Sequence, residues 1–300
     1  QCYKHSQMKK LISRLLILIA LLVAALYITD TDYLLKAVRT IYAKGYTTAF
    51  LEDYKEFDNA VVKNDVPQPW PIHEAYNSVK ETEYLIDYNK STGTIAYVII
   101  KNDSIWFENY YDGFDENSKT NSFSMAKSYV SGLLGKAIDD GYIKSLDQPV
   151  GAFFPEFSEG LASQMTVGDL SSMASGTNWD EKYYSPLSIT TRAYFDDDLE
   201  QVILGLKVVN EPGKSYKYAS GDTQLLAMVI EKATGKKLYD YLTESFWIPL
   251  GSENQTLWQV DSEDHDLVKA YCCIASNAKD FARFGKLYKD HGKWNGKQLL

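Results

Sequence analysis

The sequence has 300 residues, of which 45% are apolar, and it carries a formal net charge of −9. This length and apolar content are typical of a folded protein with a substantial core and argue against disorder as its main state. The acidic balance argues against a nucleic-acid partner, because phosphate binding depends on basic patches, and it favours a small-molecule ligand.

The first predicted element is an apolar run over residues 15–28, which follows several basic residues and precedes two acidic ones. This order is typical of an export signal, with the basic end kept in the cytoplasm. The run is shorter than the roughly 20 residues of a spanning helix, so a cleaved signal and an anchor both stay open. We predict that residues 1–29 are a signal peptide or N-terminal membrane anchor, with the rest of the chain extracytoplasmic, either periplasmic or at the cell surface.

Residues 30–89 are predicted to form a stalk or N-terminal extension. The segment is polar, with one short helical pattern, and Pro67, Pro69 and Pro71 stiffen its middle. The folded domain is predicted to occupy residues 90–300.

The domain begins with a predicted hairpin followed by a helix. The stretch "TIAYVIIKNDSIWFENYYDG" contains two β-rich runs around Asn102 and Asp103, and residues 124–140 place apolar side chains at helical spacing before Gly141. A lone hairpin is marginal in water and leaves its edges unpaired. No strand is readable after residue 112, so either the missing strands lie beyond Leu300 or the predicted hairpin is wrong, and we favour the first.

The later elements are predicted to be helices. A short helix starts near Thr166, and three longer helical patterns follow: "GDTQLLAMVIEKATG", "KLYDYLTESFWIPLG" and "SNAKDFARFGKLYKDHG". Cys2, Cys272 and Cys273 are the cysteines of the chain. Because adjacent cysteines bridge only with strain, we predict no disulfide framework and no metal cluster, and we interpret the pair as buried packing.

Ser124 and Lys127 lie one turn apart at the start of the most apolar predicted helix of the domain. Side chains at i and i+3 share a helix face, so the lysine amine can reach the serine hydroxyl. Burial would lower the lysine pKa and leave part of it neutral, able to act as a base for a nucleophilic serine. The alternative is a helix cap beside a solvated lysine, because Ser-x-x-Lys also occurs at Ser6 and Ser276.

A Ser-His-Asp triad is not indicated. The histidines, at positions 5, 73, 265 and 291, lie before the apolar run, in the proline-rich stretch or among polar residues. A Gly-x-Ser-x-Gly elbow is absent from the sequence.

Residues 90–300 resemble the serine β-lactamase-like hydrolase family, which includes class C β-lactamases, D-Ala-D-Ala peptidases, esterases and 6-aminohexanoate-dimer hydrolases. The resemblance rests on the order of "SFSMAK", "DGYIKSLDQPVGAFFPEF", "TVGDLSSMASG", "EPGKSYKYASGD", "YLTESFWIPLG" and "AKDFARFGKLY". It implies an α+β (α/β) fold of the β-lactamase/penicillin-binding-protein type, with an antiparallel sheet flanked by helices and an all-helical region. It also implies no metal and no organic cofactor.

The resemblance implies roles for individual residues. Ser124 would be the acylated nucleophile and Lys127 its base, while Tyr218 would pass a proton to the leaving group. Ser220 would orient the lysine and the substrate, and Tyr183 would contact the substrate. For Tyr218 the alternative is a purely structural tyrosine beside a helix start.

Trp179, Asp180 and Tyr184 could equally line the cleft, and Trp179 is our third candidate for substrate binding after Ser220 and Tyr183. The alternative is that these clustered aromatic side chains serve packing. The family's third motif, Lys-Thr-Gly or a variant of it, should follow Tyr218 but is not found up to Leu300. We therefore expect it beyond that residue, and we assign the function to the intact protein.

The sequence thus predicts an exported serine hydrolase that cleaves a small-molecule amide or ester through an acyl-enzyme. One alternative is a β-lactamase or D-Ala-D-Ala carboxypeptidase, with peptidoglycan fragments as ligands. Another is a catalytically slow penicillin-recognising sensor or cell-wall binding module. The N-terminal segment would provide the contact with the membrane.

Overall fold

The structure is a computed structural model that describes residues 2–300, and the side chains of residues 7–300. Its α-helices are α1 Cys2–Ile28, α2 Tyr33–Thr40, α3 Glu83–Thr92, α4 Ala126–Asp139, α5 Val167–Ser171, α6 Ile189–Phe195, α7 Leu199–Leu204, α8 Ser220–Thr234, α9 Leu238–Leu242 and α10 Ala278–Lys289. Its strands are β1 Asn59–Val62, β2 Ala96–Lys101, β3 Ser104–Tyr110, β4 Thr120–Asn121, β5 Thr256–Gln259, β6 Ile274–Ser276, β7 Lys293–Trp294 and β8 Lys297–Gln298.

Capping residues mark the ends of several helices. Thr166 caps α5 in a reciprocal capping box with Asp169, which satisfies two backbone N–H groups at the helix start. Gly235 ends α8 in the left-handed conformation, where a side chain would be unfavourable. The predicted helices near Thr166, over "GDTQLLAMVIEKATG" and over "SNAKDFARFGKLYKDHG" are confirmed as α5, α8 and α10.

Two helices, α4 and α8, form the centre of the main hydrophobic core. Leu133 and Ala137 of α4 are completely buried, and all of the first eleven residues of α8 are buried. Burial of these consecutive residues means that the first part of α8 is enclosed by the core around its whole circumference. The catalytic candidates of the sequence lie at the N-terminal ends of these two helices.

The main sheet is antiparallel and has the strand order β1, β5, β6, β4. The predicted hairpin is confirmed as β2 and β3, with Asn102 and Asp103 in the left-handed conformation that such a two-residue turn requires. The expectation that no strand follows residue 112 is wrong, because β4, β5 and β6 all do. These strands are two to four residues long, and β6 is buried at every position, so they lack the alternation that marks a half-buried strand.

Part of the predicted extension, residues 30–89, is built into the fold. β1 pairs along its whole length with β5, and the side chains of Asp53 and Trp70 are buried. The indole of Trp70 donates a hydrogen bond to the backbone carbonyl of Lys279, 3.0 Å away. This part of the segment is thus not a stalk that stands apart from the domain. Its proline-rich composition reflects an irregular path across the domain surface.

The N-terminal helix α1 contains a stretch, Gln7–Ile28, that is long and apolar enough to cross a membrane. Its mean hydropathy is 2.6, and none of it is buried against the rest of the protein. A signal sequence and a membrane anchor both have these properties.

The two adjacent cysteines were predicted to be unpaired, and this prediction is wrong. Cys272 and Cys273 are joined by a disulfide, with their Cα atoms 3.7 Å apart. Cys273 adopts a left-handed backbone conformation, with φ of 79°, where the chain turns into β6. Both residues are buried, as expected.

Candidate active site

Ser124 lies on a tight turn between β4 and α4. The preceding residue, Phe123, has a φ of 46°, which is unusual for a residue other than glycine and typical of functional sites. The backbone N–H of Phe123 donates to the side chain of Asn121, 2.8 Å away, and this bond holds the turn. Ser124 is therefore in a single 3₁₀ turn, Phe123–Met125, immediately before α4 starts at Ala126.

The hydroxyl of Ser124 is contacted by both predicted partners. The Nζ of Lys127 donates to the Oγ of Ser124 at 3.0 Å, and the hydroxyl of Tyr218 donates to the same oxygen at 2.8 Å. The ammonium group of Lys127 is also 5.3 Å from the centre of the Tyr218 ring. Ser124, Lys127 and Tyr218 thus form one cluster, although Tyr218 is 94 residues away from Ser124 in the chain.

The environment of Lys127 favours its neutral form. Burial lowers the pKa of its side chain to about 8, and the negative charge of Glu181 opposes this shift. The Nζ of Lys127 also donates to the backbone carbonyl of Tyr271, 2.7 Å away, which fixes its position. A lysine with such a pKa is partly unprotonated near neutral pH and can accept a proton.

Glu181 is a residue of the site that the sequence analysis missed. Its carboxylate accepts hydrogen bonds from the indole of Trp179, from the hydroxyl of Tyr183 at 2.7 Å, and from both the backbone N–H and the hydroxyl of Ser220. The sequence indicated Glu181 only as one of two acidic residues in the aromatic-rich stretch "NWDEKYYSP". That stretch has no periodicity that would distinguish Glu181 from Asp180. Glu181 links the loop to the start of α8.

The three predicted substrate-binding residues lie in different surroundings. Tyr183 is half exposed and lines the cavity at Ser124, as does Ser220 at the start of α8. Ser220 directs its hydroxyl to Glu181 and not to Lys127. Trp179 is completely buried, so its predicted contact with substrate is wrong. Its ring packs against Gly221, where a Cβ atom would come within 2.4 Å of it, and it supports the loop from beneath.

The cavity at Ser124 has a volume of about 340 Å³. One part of its lining comes from the turn before α4, from α4 itself and from α6, and includes Ser124 and Lys127. Another part comes from the N-terminal segment, and we call it the extension wall; its residues are Ile41, Tyr42, Thr47, Thr48 and Ala49. Tyr184 also lines the cavity, whereas Asp180 does not. Within the described residues, no group of three or more His, Cys, Asp or Glu side chains is placed to hold a metal ion.

Comparison with known proteins decides the family. The family model described as Beta-lactamase matches residues 82–300. The chain belongs to the Beta-lactamase family. The match includes Ser124, Lys127 and Tyr218, but it begins after the extension wall.

Two curated relatives of this Beta-lactamase family protein illustrate its range. It is 24% identical over 221 residues to the 6-aminohexanoate-dimer hydrolase of Paenarthrobacter ureafaciens, covering 70% of this chain and 56% of that protein. It is 26% identical over 212 residues to Beta-lactamase-like protein 2 of Dictyostelium discoideum, covering 65% of this chain and 38% of that one. The chain thus spans about half, or less, of the length of these relatives.

Solved structures confirm the β-lactamase/penicillin-binding-protein fold. A Bacillus anthracis protein described as a candidate 6-aminohexanoate-dimer hydrolase superposes with a TM-score of 0.66 at 22% identity, covering 82% of this chain and 69% of that one. A penicillin binding protein from Bacillus halodurans gives a TM-score of 0.57 at 14% identity, covering 72% and 75% of the two chains. The α+β architecture with an antiparallel sheet and flanking helices is shared.

Proposed function

We propose that the protein is an exported serine hydrolase that cleaves an amide or ester through an acyl-enzyme on Ser124. The observation that carries this proposal is the position of the Ser124 Oγ, within hydrogen-bond distance of both the Lys127 amine and the Tyr218 hydroxyl. Export is supported by the apolar helix α1, whose basic residues precede the apolar stretch. The hydrolase domain would then lie in the periplasm or at the cell surface.

The geometry supports a two-step reaction. Neutral Lys127 takes the proton of Ser124 while the Ser124 Oγ forms a bond to the substrate carbonyl carbon. As the bond to the leaving nitrogen or oxygen breaks, that atom takes a proton from Tyr218, which regains one from the Lys127 ammonium. In the second step, water attacks the acyl-enzyme and gives a proton to Tyr218 or Lys127. The same groups return a proton to the Ser124 Oγ as its bond to the acyl carbon breaks, which releases the acid.

The substrate is proposed to be a small-molecule amide or ester. The name of the Paenarthrobacter ureafaciens relative supports amide cleavage, and the cavity at Ser124 has a volume within the range of ligand sites, roughly 300–1,000 Å³. Two other hypotheses make different predictions: a β-lactamase or D-Ala-D-Ala carboxypeptidase would act on β-lactams or peptidoglycan fragments, and a slow sensor would keep a penicilloyl group.

The test is intact-mass spectrometry of the full-length protein after exposure to a fluorophosphonate, a penicillin and a short activated ester, with Ser124→Ala as the control. We expect a fluorophosphonate adduct on Ser124, rapid ester turnover and no lasting penicilloyl mass. A long-lived penicilloyl adduct would favour the peptidase or sensor hypothesis. No adduct that depends on Ser124 would overturn the proposal.

A further inference from the structure

The extension wall lies outside the part of the chain that the family model matches, yet it faces the proposed nucleophile. The match begins at residue 82, whereas the extension wall consists of residues 41–49. Ile41 is completely buried, and Ala49 and Thr48 are half-buried at the cavity. This wall is therefore a feature of this chain that the common fold does not explain.

The extension wall is held firmly in place. Asp53 follows it in the chain and is buried, where it accepts hydrogen bonds from the side chains of Asn121, Tyr194 and Gln259. On its N-terminal side, the hydroxyl of Tyr33 donates to the backbone carbonyl of Pro186 at 3.0 Å. The chain is thus bound to the rest of the domain on both sides of the extension wall.

The part of the lining that α6 provides is apolar in effect, because its hydroxyl groups already have partners. On α6, the hydroxyls of Thr190 and Thr191 donate to the backbone carbonyls of Asp180 and Ser185, which leaves their methyl groups for a ligand. The hydroxyl of Tyr194 donates to Asp53. Phe195 completes this side of the cavity.

The charge of the cavity is equally restricted. Among the described residues that line the cavity, Lys127 is the only basic residue, and there is no acidic residue. Burial lowers the pKa of Lys127, which reduces its positive charge. No carboxylate is therefore available within the lining to pair with a cationic ligand. An ammonium group would lose hydration there without a direct carboxylate partner, because the Glu181 carboxylate is not part of the lining and already accepts hydrogen bonds from the hydroxyls of Tyr183 and Ser220.

The cavity adjoins the two groups that act in the first step of the proposed reaction. It is lined by Ser124 and Lys127, whereas Tyr218, the proposed proton donor to the leaving group, is not among the described residues that line it. We infer that this cavity is an acyl-binding pocket, closed by the extension wall, for substrates whose acyl group is an uncharged aliphatic chain. This inference rests on the proposed serine hydrolase function and specifies its substrate class.

The test is the kcat/KM of the full-length protein for 4-nitrophenyl acetate, butyrate, hexanoate and 6-aminohexanoate, with Ser124→Ala as the blank. Each buried methylene should raise kcat/KM by roughly fourfold, so hexanoate should exceed acetate by at least about tenfold. The 6-aminohexanoate ester should fall below hexanoate by at least about tenfold. Equal values for acetate and hexanoate, or a preference for 6-aminohexanoate, would overturn the inference. If no ester shows turnover that depends on Ser124, the proposed function itself fails.

A pair of matched variants assigns the selectivity to the extension wall. Ala49→Trp should fill the pocket and reduce the hexanoate-to-acetate ratio by at least about tenfold. Ala43→Trp places the same side chain at an exposed position of the same segment, outside the cavity lining, and should keep the ratio. An unchanged ratio in Ala49→Trp contradicts the inference. Should that variant not fold, inhibition of the unaltered protein by methyl-, butyl- and hexylboronic acid decides, because equal inhibition by all three contradicts an acyl pocket.

Discussion

Two parts of the cavity lining at Ser124 differ in the kind of interaction that they offer. In the first part, Ser124 and Lys127 belong to a hydrogen-bonded cluster with Tyr218, and the pKa of the lysine is lowered to about 8. The second part, the extension wall, offers no charged group among its described residues. The first part lies within the Beta-lactamase match and the second part precedes it.

This difference indicates that chemistry and selectivity are carried by separate parts of the chain. A change in the catalytic cluster should lower the turnover of every ester by a similar factor, because the same proton transfers are needed for each. A change in the extension wall should instead alter the ratio between esters. The following predictions test whether this separation holds.

The largest effect is expected for Lys127→Met, which keeps much of the apolar side chain but removes the base. The kcat/KM for all 4-nitrophenyl esters should fall by at least about 10³-fold, because Ser124 would lose its proton acceptor. Lys232→Met, at an exposed position of α8, is the matched control and should behave as the unaltered protein. Normal turnover by Lys127→Met in a steady-state ester assay would contradict the mechanism.

A smaller loss is expected for Tyr218→Phe, which removes one hydroxyl. General acid–base catalysis typically contributes about 10²- to 10⁴-fold, so kcat for ethyl esters, whose alkoxide leaving group needs a proton, should fall within that range. The reduction should be similar for ethyl acetate and ethyl hexanoate if catalysis and selectivity are carried by separate residues. Tyr216→Phe, an exposed tyrosine two residues away, is the control. A reduction confined to one ester would show that Tyr218 also determines selectivity.

Asp53→Asn tests how strongly the extension is joined to the catalytic turn. The Asp53 carboxylate accepts bonds from Asn121, Tyr194 and Gln259, and Asn121 in turn holds Phe123 beside Ser124. Replacing the Asp53 carboxylate with a neutral amide weakens these bonds. It also puts an amide group against the side-chain amides of Asn121 and Gln259. The free energy of unfolding should fall by about 2 kcal/mol in urea denaturation.

The control for this change is Asp87→Asn, an exposed carboxylate on α3. It should leave the free energy of unfolding within roughly 0.5 kcal/mol of the unaltered value. Equal stabilities of the two variants would mean that the buried carboxylate is not what joins the extension to the domain.

The sequence was sufficient to predict the parts of this site that lie on long regular elements. Ser124 and Lys127 are one turn apart at the start of a helix, and the buried helices α4 and α8 have clear apolar patterns. The hairpin of β2 and β3 was equally predictable, since two strands of six and seven residues meet at a turn with typical residues.

The remaining features depend on contacts between distant segments, which local patterns do not encode. β1 is four residues long and pairs with a strand nearly 200 positions later, so nothing around it distinguishes it from an irregular extension. The same holds for the extension wall, which is brought near Ser124 by long-range contacts such as that between Asp53 and Asn121. Glu181 likewise gains its role from Ser220, 39 residues away.

The smallest effect is expected for Glu181→Gln, which changes the charge near Lys127 and retains a side chain of the same shape. The negative charge of Glu181 raises the Lys127 pKa, against the larger lowering by burial. Without that charge the ammonium form becomes less favourable, so the Lys127 pKa should fall below about 8. Because neutral Lys127 is the proposed base, the rising limb of kcat/KM against pH should move to lower pH. Asp180→Asn, which removes the neighbouring charge, should leave the limb in place. A limb that stays unchanged in Glu181→Gln, or moves to higher pH, would mean that a group other than Lys127 controls it.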